Sequence, residues 1–178
     1  MLIGTLALIL QAVAGFFTAL LLVRTVMRYL RISFVSQLGQ FVLATTNWAV
    51  LPFQKWVPSV GKLELCSLLP AWLIQILLVL ALRLIGGGAT DPASLLVVAA
   101  LGGLMGLLKT ALQMLFWVVI LSAVLSWVNP YSPLAGPLNA FTRPFLAPIR
   151  RFLPPVANID LSPLVLLLVL QILMFWLP

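Results

Sequence analysis

The sequence predicts an all-α membrane protein with four transmembrane helices, arranged as two parallel two-span repeats. Three observations lead to this fold class. The first is composition: 63% of the residues are hydrophobic, only 7% are charged, and the mean hydropathy is +1.23. A soluble domain of 178 residues needs far more polar surface, so lipid must solvate this chain. The others are four apolar segments of near-spanning length and a match between the two halves of the chain.

Four apolar segments are predicted to cross the bilayer, because a crossing takes about 20 residues. They are residues 3–23, 65–85, about 108–128 and 161–177. The run from 93 to 128 is too long for one crossing, and only Lys109 interrupts it. Counting back about 20 residues from Trp127, which suits a membrane interface, places Lys109 at the opposite headgroup level. Residues 93–107 then have three alternatives: they extend the third helix, lie on the outer interface or form a re-entrant segment.

The placement of lysine and arginine predicts the orientation of the spans. Eight of the ten cations lie in the first and third loops, residues 24–64 and 129–160, and only Arg83 and Lys109 lie elsewhere. Because basic loops are retained in the cytoplasm, both loops are expected inside the cell. Both termini and the outer segment 86–107 are then expected outside. The chain is then predicted to cross the membrane several times.

The two halves of the chain align without a gap at an offset of 96 residues. This alignment defines repeat 1 as residues 1–85 and repeat 2 as residues 86–178. It pairs Pro52 with Pro148, Lys55 with Arg151, Glu64 with Asp160, and Gln75 with Gln171. Each half contains one span, a basic cytoplasmic loop and a second span. Two crossings per half make the repeats parallel, which does not fit the inverted repeats of many secondary transporters.

Two stretches of repeat 2, FWVVILSAVLSWVNPYSPL and RPFLAPIRRFLPPVANIDLSP, carry a family resemblance. They resemble the YggT (YlmG) family of small bacterial inner-membrane proteins, which has relatives in plastids. Repeat 1 departs from the motif: Trp48 stands where a proline is expected, Lys55 is alone in place of a basic pair, and Ser67 replaces the second proline. The resemblance implies a role in osmotic-shock tolerance, cell division or membrane organisation. For plastid relatives it implies cytochrome maturation and nucleoid distribution, and it implies no enzymatic reaction.

Basic residues near the predicted membrane surface are candidates for binding anionic headgroups or docking a partner protein. They are Arg24, Arg28, Arg31, Lys55, Arg143, Arg150 and Arg151. The first three are expected to form one basic face that contacts headgroups. In the third loop, apolar residues recur at helical spacing and the arginines lie off that stripe, which predicts an amphipathic interfacial helix. Pro144 and Pro148 are expected to divide it into two short pieces.

Polar residues at the start of the fourth span predict a helix cap. Ser162 is expected at the N-cap and Pro163 at the first helical position. Asp160 adds negative charge there and can pair with Arg150 or Arg151. Glu64 is its counterpart in repeat 1.

Each predicted span carries one glutamine. These intramembrane polar residues are Gln11, Gln75, Gln113 and Gln171. A side-chain amide in hydrocarbon prefers a hydrogen-bond partner, so Gln75 and Gln171 are expected to face the interior of the helix bundle.

No catalytic, cofactor-binding or metal site is predicted. The chain has no histidine, one cysteine (Cys66) and three widely separated carboxylates, which form neither a triad nor a metal cluster. The net charge of +7 favours anionic lipid over nucleic acid as the partner, because the cations lie at the ends of apolar segments. The sequence Gly102-x-x-x-Gly106 leaves a homo-oligomer open.

The leading hypothesis is a non-enzymatic inner-membrane protein that organises membrane or partner proteins, such as division proteins, with the osmotic-stress role that the resemblance implies. A small oligomeric ion channel or transporter is the first alternative. The lack of a predicted charge near mid-membrane disfavours it. An assembly factor for membrane cytochromes is the second alternative.

Overall fold

The computed structural model describes residues 2–32, 34, 36–55, 65–87, 91–129, 131–152 and 160–177. These residues form six helices: α1 (Leu2–Tyr29), α2 (Gln37–Gln54), α3 (Leu65–Ile85), α4 (Pro92–Val128), α5 (Ala135–Phe152) and α6 (Ser162–Trp176). No strand occurs in these ranges, so the all-α class is confirmed. Helices α1, α3 and α4 are long and apolar enough to cross a membrane, and α6 is a shorter apolar helix. The chain is therefore a helical membrane protein.

Two of the membrane helices are longer than one crossing requires. Helix α1 has 28 residues and α4 has 37, whereas about 20 suffice. Residues 93–107 belong to α4, so of the three predicted alternatives the extension of the third helix is the one observed.

The chain divides into two compact units, an N-terminal unit (Met1–Thr110) and a C-terminal unit (Ala111–Pro178). In the N-terminal unit, α1, α2 and α3 pack against one another. The core of this unit consists of Leu21, Val50, Cys66 and Ala71, with Ile74 and Leu107 packed against it. Because Leu107 lies on α4, the first half of that helix belongs to the same core.

Helix α2 lies in the first loop, where the sequence analysis predicts no helix. It begins after Ser36, whose hydroxyl accepts a hydrogen bond from the Gly39 amide at 3.2 Å. Gly39 must lack a side chain, because a Cβ there would lie 2.6 Å from the Phe34 Cα. Val42 and Val50 are buried two turns apart, so one face of α2 packs into the unit.

Helix α5 forms part of the C-terminal unit and packs against α6. The prediction that Pro144 and Pro148 divide this segment is wrong, since α5 is one continuous helix. Each proline removes one backbone donor, and their spacing of four residues puts both losses on one face. Both prolines and Ala140 are exposed, so solvent or headgroups can hydrate the carbonyls left without partners.

Candidate functional site

Helix α5 presents two chemically different faces. Phe141, Thr142 and Leu146 are buried. The candidate cations Arg143, Arg150 and Arg151 are all exposed. Phe145 and Phe152 are also exposed, so the accessible surface of α5 combines guanidinium groups with aromatic rings. This combination is typical of helices that lie at a membrane interface.

An ion pair attaches the end of α5 to the start of α6. Arg150 donates from Nε to the Asp160 carboxylate at 2.8 Å, and its Nη2 lies 2.7 Å from the same oxygen. The other Asp160 oxygen accepts the Ser162 backbone N–H at 2.9 Å. Of the two arginines expected to pair with Asp160, Arg150 is the partner found. Both side chains are partly exposed, so the pair contributes at most about 1 kcal/mol.

These contacts also act on the acidity of Asp160. Partial burial raises the pKa of the carboxyl group, but hydrogen bonding by Ser162 and the charge of Arg150 together lower it more. The resulting pKa lies below the ordinary aspartate value. The carboxylate is therefore charged at neutral pH, as the ion pair requires.

The cap of α6 differs from the predicted one. Leu161 occupies the N-cap position without a side-chain hydrogen bond, Ser162 is the first helical residue, and Pro163 follows it. Ser162 is fully buried, and as the first helical residue it does not occupy the N-cap position. Asp160 instead accepts an otherwise unbonded N–H of the first turn, as a capping carboxylate does. The counterpart Glu64 lies outside the described residues.

Arg24 does not contact headgroups as predicted. Its side chain is only 4% exposed, and its Nη1 donates to Thr46 Oγ1 and Asn47 Oδ1, both at 2.9 Å. A buried cation needs such acceptors, because removing it from water is costly. Arg24 thus attaches α1 to α2 inside the N-terminal unit, and the predicted three-residue basic face is wrong.

The remaining candidate cations of repeat 1 lie on the surface. Arg28 and Arg31 are exposed at the end of α1, where Arg31 adopts a left-handed φ of 54°. Lys55 is exposed and follows the last residue of α2. Of the predicted basic face, Arg28 and Arg31 are on the surface and Arg24 is buried.

Gln75 joins three helices inside the N-terminal unit. Its side-chain Nε2 donates to Thr18 Oγ1 on α1 at 3.1 Å and to Thr110 Oγ1 on α4 at 3.3 Å. Gly106 permits this arrangement, because a Cβ there would lie 2.5 Å from Gln75 Oε1. Gly102 and Gly103 similarly face Val79 and Ile76 of α3. The Gly102-x-x-x-Gly106 pattern therefore serves helix packing within the chain, which explains it without an oligomer.

Gln75 is the only one of the four glutamines that is buried. Gln11, Gln113 and Gln171 are exposed. The expectation that Gln171 faces the interior is therefore wrong. The sequence at an offset of 96 residues also lacks the matching acceptor. Thr18, the partner of Gln75 on α1, corresponds to Met114 in repeat 2, and a thioether is at best a weak acceptor.

The level of Lys109 within its unit follows from the contact of α4 with α3. Its neighbour Thr110 accepts a hydrogen bond from Gln75, which stands at the midpoint of α3. Lys109 is therefore level with the middle of helix α3, a candidate membrane span, and its side chain is exposed. The headgroup position predicted for Lys109 does not agree with this level, because counting back from Trp127 assumes that α4 is only one membrane thickness long.

The sequence analysis predicts no role for the polar partners of Arg24 and Gln75. These partners are Thr46 and Asn47 for Arg24, and Thr18 and Thr110 for Gln75. The repeat offset contains one usable signal, since it pairs Thr46 with Thr142, and both are buried. The structure contains no group of three potential metal-ligating side chains within its described residues.

Comparison with known proteins assigns the chain to a family. A family model described as CCB3/YggT matches residues 3–85 and 101–177. The chain belongs to the CCB3/YggT family. The resemblance stated from the sequence is thereby confirmed.

Relatives in this family cover most of the chain. It is 32% identical over 170 residues to "Uncharacterized protein YggT" of Escherichia coli K12. The aligned residues make up 95% of this chain and 87% of the relative. A Vibrio alginolyticus protein, "Uncharacterized protein in proC 3'region", is 36% identical over 79% of this chain and 76% of its own length. "Uncharacterized protein PA0392" of Pseudomonas aeruginosa is 31% identical over 92% of this chain and 83% of its own length. No solved structure matches the chain.

Proposed function

We propose that this family member is a non-enzymatic, multi-span protein of the bacterial inner membrane that organises the membrane surface, or partner proteins there, through helix α5. The observation that carries the proposal is the pair of opposed faces of α5, with Phe141 and Leu146 buried and three arginines exposed. A helix fixed along one face and cationic on the other is suited to hold anionic headgroups or an acidic partner segment. Each arginine near an anionic surface contributes about 1 kcal/mol to such binding.

The proposed topology has four spans, α1, α3, α4 and α6, with α2 and α5 on the cytoplasmic side and both termini outside. The excess of lysine and arginine in loops 24–64 and 129–160 supports this orientation. Helix α6 has 15 residues and is about 22 Å long, against a hydrocarbon thickness of about 30 Å. We infer that residues 161–177 cross where the bilayer thins locally, which costs a fraction of a kcal/mol per Å.

Two parallel repeats belong to the same proposal. When 96 is added to its residue numbers, α2 covers 133–150, which nearly coincides with α5 (Ala135–Phe152). In the same way α3 covers 161–181, which begins one residue before α6 (Ser162–Trp176). The family model likewise matches two separate segments. Both observations support duplication of a three-helix element.

The proposed cellular role is osmotic-stress tolerance or cell division, as the resemblance implies. The test is survival of a deletion strain after osmotic downshift, with the gene supplied in three forms. Neutralising Arg143 and Arg151 to glutamine should reduce survival at unchanged protein level, while Arg150 is kept because it holds Asp160. Lys55→Gln, just after the end of α2, is the control and should behave as wild type. Full survival with both arginines neutralised would contradict the proposal.

A small channel or transporter is the second candidate, and one observation favours it. Lys109 lies near the middle of the α3 span, and charges at that depth are common in ion and proton pathways. Ion flux through liposomes that contain the purified protein tests this candidate. Flux that Lys109→Met abolishes would support it over the surface role of α5.

A further inference from the structure

The first half of α4 presents an apolar surface with one cation on it. Leu101, Leu104, Met105 and Leu108 are exposed there, and Lys109 is exposed beside them. We call these five residues the α4 surface. Its leucines are spaced three and four residues apart, the spacing by which one helix packs along another.

Lys109 stands at the depth where a charge is most costly. Thr110, the next residue, bonds Gln75 at the midpoint of α3. The free-energy cost of inserting a lysine at the centre of a membrane helix cancels the favourable insertion free energy of about five or more leucines. Its four-carbon stem is shorter than the roughly 15 Å half-thickness of the hydrocarbon, so extension toward the outer headgroups relieves the cost only in part.

Lys109 has no anionic partner in the part of the chain that the structure describes. None of the described residues forms an ion pair or hydrogen bond with the Lys109 side chain. The three carboxylates of the sequence are Glu64, Asp91 and Asp160, and each lies outside the ranges of α1, α3, α4 and α6. A second copy of the chain therefore has no carboxylate within these four helices to offer Lys109.

We propose that the α4 surface docks a membrane helix of another protein, and that Lys109 pairs there with an aspartate or glutamate of that helix. Charge complementarity selects this partner, because a carboxylate at the same depth attracts the ammonium and offsets part of the cost of both charges in hydrocarbon. The apolar neighbours provide the packing surface and exclude water from the pair. The α4 surface shares no residue with α5, so the inference does not depend on the proposed surface role.

The test is photo-crosslinking of the full-length protein in its own cells. A benzophenone amino acid replaces Leu104 on the α4 surface, and the control carries it at Leu77, which is also exposed and lies on α3 near Gln75. Each is combined with Lys109→Met and with Lys109→Arg. Lys109→Met lowers the cost of insertion, and equal amounts of protein in the membrane verify that it folds.

The expected result is an adduct from Leu104, absent from Leu77, with a protein that carries a carboxylate inside a membrane helix. Its yield should fall about tenfold in Lys109→Met and persist in Lys109→Arg. Converting the partner's carboxylate to its amide should reduce the yield equally, and exchanging the two charges, with Lys109→Glu and lysine in the partner, should restore it. No adduct, an adduct with lipid or a second copy alone, a partner without such a carboxylate, or a yield insensitive to Lys109→Met would overturn the proposal.

Discussion

Thr46 and Thr142 lie 96 residues apart and are placed in the same way. Each is buried, and each donates its hydroxyl to the carbonyl four residues earlier, that of Val42 or Leu138. Thr46 also interacts with a charged side chain, because its hydroxyl oxygen accepts a hydrogen bond from Arg24. The two threonines therefore form a natural comparison between a packing role and a role in holding a buried charge.

Thr46→Val should destabilise the protein more than Thr142→Val. The first substitution removes one acceptor from a buried guanidinium, which costs about 1–3 kcal/mol, whereas the second removes only a local bond to the backbone. Thermal unfolding of the purified protein in detergent measures the difference. Equal losses of stability would show that the Arg24–Thr46 bond contributes nothing beyond packing.

Gly103→Ala should separate α4 from α3. A Cβ at this position would lie 2.7 Å from Ile76 Cγ1 and 3.0 Å from its backbone nitrogen, so the helix itself must move. Overpacking of this kind costs about 1–3 kcal/mol. Gly15→Ala is the control, since nothing lies within 4 Å of its added Cβ, and alanine favours the helix by about 0.5–1 kcal/mol. Opposite shifts in unfolding temperature are expected, and a neutral Gly103→Ala would contradict the close approach.

Asp160 should make stability depend on pH in the acidic range. Its pKa is lower in the folded state, so the folded carboxyl releases its proton more readily than the unfolded one. The stabilisation is complete above the ordinary aspartate pKa and is lost as the pH falls through the lower folded value. Unfolding measured from neutral to acidic pH should show this loss, and Asp160→Asn should remove that part of the dependence. An identical pH profile for the variant would exclude the mechanism.

Composition and charge placement along the chain predicted the membrane class and the pairing of Asp160 with an arginine, and both are found. The burial of Arg24 could not be predicted, because it depends on acceptors supplied by α2, a helix in the first loop. The level of Lys109 could not be predicted either, because it is set by the contact of α4 with α3, which no count of residues along α4 contains.

The proposed orientation predicts which residues are reachable from outside the cell. In a Cys66→Ala background, Asp91→Cys should react with an impermeant thiol reagent in intact cells. Tyr131→Cys, at one of the most exposed positions, should react only after permeabilisation, because it follows α4 in the basic loop that is held inside. Labelling of position 131 in intact cells would reverse the topology.

The two glutamines related by the repeat should respond differently to loss of the amide. Gln75→Leu removes the bonds that join α3 to Thr18 and Thr110, and interhelical hydrogen bonds in membranes average about 0.6 kcal/mol with a maximum near 1.7. Gln171→Leu removes an exposed amide and should be neutral or slightly stabilising, because leucine is better solvated by lipid. Unfolding in a graded series of denaturing detergent separates the two variants. A loss for Gln171→Leu that equals the loss for Gln75→Leu would mean that Gln171 also has a buried partner, and the asymmetry attributed to Met114 would then fail.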